Sequence, residues 1–335
     1  MSGGGEGISK IIVFDLDGTL GYFTEFGLFI DSIISCNKNQ LLNLEIRGEF
    51  FNKLLDLYPE FLRPNIIYIL GYLKYKKLRR KCGGIIIYTN NKGPIGWCNL
   101  IINYFHKKID FELFDEIIKA YKIDGRVIEE KRTTNKKTIN DFLSCIQSKL
   151  PNMHTSNLEI CFIDDDIHPK MVEDNVFYVK MNKYKFSLSY ELMVERFIQN
   201  MESLNITGNK EDCSMFIHNY LLNSNYKHKE KSNVSIINDE EYSKRIALYL
   251  QTFFDSNWRI SRKDSEEDLI ISNKISSDIY VNTGLDLDLD LDIDIDSENE
   301  PPMILNKKNI KAKSSKNKEV KAILNRTRSN SKINT

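Results

Sequence analysis

The chain has 335 residues, 47 of them basic and 47 acidic, so its formal net charge is zero. That length can bury one large core or two smaller ones, and the charge balance excludes a field that would draw the whole molecule to nucleic acid or a membrane surface. Six cysteines without a CxxC pair, an opening MSGGGEGISK without an apolar signal core, and no apolar run near membrane-helix length predict reduced thiols in a cytoplasmic protein, with the nucleus also open to it.

Residues 1–8 read as a flexible lead. Four short, continuously apolar runs follow: IIVF at 11–14, GIIIY at 84–88, EICFI at 159–163 and VFYV at 176–179. Such runs suit strands buried on both faces of a parallel sheet. Ahead of the third run, Ile139, Phe142, Leu143, Ile146 and Leu150 repeat on one face of a helix. Strands alternating with helices predict a doubly wound α/β sheet.

From 186 to 258 the pattern is helical, and Asn238 with Glu241 reads as an N-cap and its partner three residues on. These helices are expected to pack on the core or to bind a protein partner. Residues 259–335 read as a mostly disordered tail, with an acidic run at 285–300 and a basic end at 301–335. The acidic run holds LDLDLDLDIDID. The last 35 residues hold ten Lys or Arg and one Glu, the only feature here that favours nucleic acid.

Open α/β sheets bind ligands at the carboxyl ends of their strands. Polar groups stand there three times. After IIVF come Asp15 and Asp17, whose side chains in an extended chain point the same way about 6.5–7 Å apart. Carboxylates that close conflict unless a divalent cation intervenes or the two take different roles. Gly18 lets the chain turn, and Thr19 follows it. The DxDG string also opens a calcium-loop pattern, but Gly21 and Tyr22 stand where later acidic ligands belong. After GIIIY come Thr89 and Asn90, whose hydroxyl, amide and backbone N–H groups suit a phosphate oxygen. After EICFI come Asp164, Asp165 and Asp166, which are costly together unless solvated or metal-bound. Finally, Lys136 and Lys137 head the helix at 137–150, where cations oppose the helix dipole unless an anion lies near. Tyr22, Phe23, Phe26 and Phe29 suit either buried helix packing or the rim of a site. His168 suits a surface turn before Pro169, with approach to the site as the alternative.

In this order, DLDGTL, IIIYTN, a helix-heading lysine and FIDDD resemble the four motifs of the haloacid dehalogenase-like phosphatase superfamily over roughly residues 9–182, within a domain expected at 9–185. The stretch FLRPNIIYILGYLKYKKLRRKCGGIIIYTNN is similar to the segment leading into the second motif of the RNA polymerase C-terminal-domain phosphatases and their small relatives. Phosphatase-like proteins of large DNA viruses look similar too. Gly18, where those phosphatases usually carry Glu, and Asn65, in place of a glycine after Arg-Pro, are departures.

The resemblance implies a Rossmann-like sheet with a minimal cap or none, and a Mg²⁺-dependent phosphomonoester hydrolase working through an aspartyl-phosphate. Asp15 is then the nucleophile and Asp17 the general acid and base. Thr89 and Lys137 (or Lys136) complete the catalytic set, and Gly18, Thr19 and Asn90 cradle the phosphoryl group. The Asp15 side chain, the Asp17 backbone carbonyl and Asp164 hold the metal, with Asp165 behind them or as an alternative ligand. Only 42 residues lie between Leu20 and Arg63 and 47 between Thr89 and Lys137, too few for a large cap, which favours a phosphoprotein substrate over a small enclosed metabolite. The alternatives are a weakly active binding platform and a nucleic-acid-end phosphatase.

Overall fold

The structure is a computed structural model, and it describes residues 9–44, 48–94, 96–224, 233–255, 258 and 303–305. In chain order the elements are β1 (Ser9–Phe14), α1 (Phe23–Lys38), β2 (Leu42–Asn43), α2 (Gly48–Leu57), α3 (Ile66–Leu78), β3 (Gly84–Tyr88), α4 (Trp97–Ile109), β4 (Glu116–Ile118), β5 (Lys122–Ile123), β6 (Arg126–Val127), α5 (Ile139–Lys149), β7 (Leu158–Asp164), β8 (Val176–Lys180), α6 (Tyr190–Gln199), β9 (Thr207–Gly208), α7 (Lys210–Leu222), α8 (Asn233–Phe254) and β10 (Met303–Leu305).

The central sheet runs β10-β8-β7-β1-β3-β4. Its five strands from β8 to β4 are parallel and β10 is antiparallel. The period of two in a strand sorts each apolar run onto two faces. Ile12, Phe14, Ile85, Ile87, Cys161, Ile163, Phe177 and Val179 enter one core. Ile11, Val13, Ile86, Tyr88, Ile160, Phe162, Val176 and Tyr178 enter the other. The first core is covered by residues of α1 to α4 and α6 to α8. The second is covered mainly by Phe142, Cys145 and Ile146 of α5, with Met171 and Val172. All four predicted strands are present, so the α/β sheet stands; β4 was not predicted, because Glu116–Ile118 is too short to stand out from its polar surroundings.

The residues at 186–258, read as a helical extension, form α6, α7 and α8, whose apolar residues share the first core with β1, β3, β7 and β8. The expected cap at Asn238 is corrected. α8 begins at Asn233, so Asn238 lies inside it, and the buried set Tyr242, Ile246, Leu250 and Phe253 outweighs the modest helix cost of an Asn. The lower end of α8 is tied to β1: Lys10 Nζ donates to the carbonyls of Phe253, Phe254 and Asp255 at 2.8–3.2 Å. Trp258 Nε1 donates to Glu159 Oε2 at 2.8 Å.

Within the tail read as mostly disordered, Met303–Leu305 pairs with β8. The edge of β8 would otherwise leave a row of unpaired N–H and C=O groups, and this apolar triplet meets it. The acidic run and the rest of the basic end lie outside the described residues. Among the described residues no helix is long and apolar enough to cross a membrane.

Candidate active site

The strand ends of β1, β3 and β7 are neighbours because β1 lies between the other two. Phe14 pairs with Ile163, so Asp15 and Asp164 are the next residues in register. Both continue the alternation of Val13 and Phe162, toward the α5 side of the sheet. Lys137 reaches the site from that side. α5 starts at Ile139 with Thr138 as its N-cap, the Thr138 hydroxyl accepting from Asp141 N at 3.1 Å. Lys137 therefore precedes the helix and is free to turn inward, whereas Lys136 is exposed.

Lys137 Nζ donates to Asp15 Oδ1 and, at 2.6 Å, to Asp164 Oδ2, with its side chain 1% exposed. The rings of Tyr88 and Phe162 flank the ammonium, each centroid 5.7 Å away. One oxygen each from Asp15, Asp164 and Asp165 lies within 4.8 Å of the others, and all three residues are buried. Asp165 Oδ2 takes no hydrogen bond, although the half-exposed ammonium of Lys183 is 3.3 Å away. A buried group of hard oxygen donors with more carboxylates than buried ammonium ions suits a divalent cation.

The electrostatics sort these carboxylates. Burial raises Asp15 well above the ordinary carboxylate range, against the pull of Lys137 and with the push of Asp164 and Asp165. Burial also works on Asp164, but Lys137 and His168 outweigh it and hold this carboxyl below its ordinary value. Burial raises Asp165 and Asp17. For Lys137 burial acts downward, and the carboxylates of Asp15 and Asp164 reverse it.

Asp17 is read as an acid and base through its carboxylate and as a metal residue only through its backbone carbonyl. Its carboxylate lies outside the group of three and accepts from Asn91 Nδ2, with Asp17 Oδ1 buried and unpartnered. Gly18 adopts φ +79°, and a Cβ there would come within 2.7 Å of Asp165 Oδ2, so both backbone and space call for glycine. Thr19 Oγ1 donates to Asp165 Oδ1 at 3.4 Å. Thr89 is buried; its Oγ1 accepts from Asn91 N at 3.0 Å, which leaves the hydroxyl hydrogen to donate. Asn90 was predicted to cradle a ligand, but its Oδ1 accepts from Arg132 at 2.8 Å, which leaves only its amide NH₂ for that task. His168, predicted as a surface turn, does precede the Pro169–Met171 turn, yet its Nε2 sits 3.2 Å from Asp164 Oδ2. Phe23, Phe26 and Phe29 are core residues and line no rim.

Three supporting residues escaped the sequence. Arg63 is buried and donates to the carbonyls of Gly18, Thr19 and Asn182 at 2.5–2.8 Å, which fixes the turn after Asp17. Arg132 is buried over the Tyr88 ring and donates to Thr89 O, Lys119 O, Asn135 O and Asn90 Oδ1. Asn91 joins Thr89 to Asp17. Arg63 stands in FLRPN, and Arg132 lies in the charged stretch EEKRTTNKK ahead of α5. No local pattern marks either one. Arg132→Met should cost roughly 2–3 kcal/mol in urea unfolding, because it strands buried acceptors that now bond a charged donor. A loss under about 0.5 kcal/mol, the ordinary surface range, would show that the loops hold without it.

Comparison of the chain with protein-family models, with curated proteins and with solved structures found no match.

Proposed function

We propose that this chain is a phosphomonoester hydrolase of the haloacid dehalogenase-like kind, acting through an aspartyl-phosphate on Asp15. The observation that carries the reading is one ammonium, Lys137, bridging Asp15 and Asp164 at adjacent strand ends, with Asp165 beside them and Thr89 buried just past the end of the neighbouring β3. Lys137 occupies Asp15 Oδ1, which leaves Oδ2 to attack phosphorus. Asp17 gives its proton to the departing alcohol oxygen. It then takes a proton from the water that cleaves the Asp15–phosphate bond, and inorganic phosphate leaves. Burial raises Asp17, which keeps it protonated further toward neutral pH, as an acid in the first step requires. Thr89 donates its hydroxyl to a phosphoryl oxygen. Lys137 answers the charge that builds on Asp15 and the phosphoryl group.

Asp15, Asp164 and Asp165 fit Mg²⁺ as hard, closely spaced oxygen donors. When bound, the ion neutralises phosphoryl charge and orients the group for attack. Lys183, half exposed and in contact with Asp165, puts the site near the surface, which favours a phosphorylated macromolecule, above all a phosphoprotein.

The test is release of p-nitrophenol from p-nitrophenyl phosphate, followed by phosphopeptide and 3′-phosphate DNA panels. Turnover should require Mg²⁺, fall to background with a chelator, and return when the ion is restored. Background turnover on every substrate with Mg²⁺ present would sink the hydrolase reading and leave a phosphate-binding platform.

A further inference from the structure

Far from that site, Cys36 in the last turn of α1 faces Cys213 in the first turn of α7. Their sulfurs are 3.2 Å apart and both residues are completely buried. A disulfide bond is about 2.05 Å long, so closure asks for roughly 1.2 Å of further approach. The Cys213 thiol donates to Leu41 O at 3.4 Å, which turns a sulfur lone pair toward Cys36. The register beside the pair is already fixed: Leu42 pairs with Gly208 and Asn43 with Thr207, immediately next to the two helices. Among the described residues no other two cysteine sulfurs touch; the sulfur of Cys82 donates to Gly84 O instead.

We infer that Cys36 and Cys213 form a redox-sensitive pair, reduced in the structure and closing to an intramolecular disulfide that ties α7 to α1. The oxidant would be a low-molecular-weight disulfide such as glutathione disulfide. The Cys213 thiolate attacks one of its sulfurs and expels a glutathione thiolate. The Cys36 thiolate then displaces the second glutathione from Cys213. The protein gives up two electrons and two protons, and the oxidant becomes two glutathione thiols. Burial raises both thiols above the ordinary range, so the native contact is inert and reaction waits until α7 lifts from α1. Asp212 and Lys38, beside the two cysteines, are exposed, so only a thin layer of chain has to move. Once closed, the bond spans residues 36–213, a long loop whose closure constrains the unfolded chain strongly.

The experiment uses the full chain incubated with glutathione disulfide in urea just below the unfolding transition, then quenched with acid. Free thiols should fall from six to four, and the intact mass should drop by two hydrogen atoms. Peptide mapping should show a Cys36–Cys213 cross-link. The melting temperature should rise by about 5 °C or more, reversibly with dithiothreitol. Cys213→Ala should lose no thiols to a cross-link. Six surviving thiols, stable glutathione adducts without ring closure, or a cross-link between any other cysteines would overturn the assignment.

Discussion

Asp15→Asn is expected to lower phosphatase kcat by at least ~10⁴-fold, a barrier increase of about 5.5 kcal/mol, while leaving the metal-free protein as stable as before or more so. The chemical half follows from the amide being too poor a nucleophile to form the acyl phosphate. The stability half follows from charge. Burial raises Asp15 in the folded state, so its ionised form opposes folding once the pH exceeds the unfolded value. A neutral Asn removes that opposition and also relieves the repulsion from Asp164 and Asp165, and Lys137 keeps its bond to Asp164. Melting curves without metal should therefore show an unchanged or higher midpoint. With Mg²⁺ the wild type should gain more than the variant, which lacks one of the three carboxylates proposed to hold the ion. Retained turnover would refute the nucleophile. A midpoint several degrees lower would mean that Asp15 supports the fold as well.

Lys137→Met is expected to do the reverse and destabilise the metal-free protein by about 3–5 kcal/mol, since breaking a buried ion pair strands its partner charges. Here the partners are Asp15 and Asp164, with Asp165 within 4.8 Å of both. For a domain of this size that is a fall of roughly 6–20 °C in the melting midpoint. Because a divalent cation could take over the neutralising role, Mg²⁺ should stabilise Lys137→Met by more than it stabilises the wild type. Lys136→Ala should stay within about 0.5 kcal/mol, since that residue is exposed and its hydrogen bond to Thr134 Oγ1 comes from its backbone N, which the substitution keeps. Equal losses at 136 and 137, or a variant at 137 indifferent to Mg²⁺, would undo this picture.

The contrast between the two lysines marks how far the sequence could be read. Strands at 11–14, 84–88, 159–163 and 176–179 were legible because burial on both faces demands unbroken apolar runs, and Asp15, Thr89 and Asp164 were legible because they end three of those runs. Which of two adjacent lysines turns inward depends on how the chain enters α5, a matter of one residue on either side of Thr138. Arg63 and Arg132 were beyond reach for a different reason. Most of their bonds go to main-chain carbonyls, some more than 40 and as many as 119 residues away, and carbonyls carry no side-chain signature. The choice of Asn91 rather than Asn90 to bond Asp17 is of the same kind, since TNN offers two equivalent amides and only the turn chooses between them.

The bond from Lys10 to the end of α8 also sets a schedule for synthesis. Its partners lie 243 to 245 residues later in the chain. At about 5–20 residues per second, the ribosome delivers them roughly 12–50 s after Lys10 itself is made. Until then β1 lacks its lower anchor, and the face of Phe177 that later packs on Phe253 and Trp258 has no cover from either ring. The nascent chain thus carries an apolar sheet face at Phe177 until Phe253 is made 76 residues later, roughly 4–15 s, a period in which chaperone contact at β7 and β8 would matter more than at any later time.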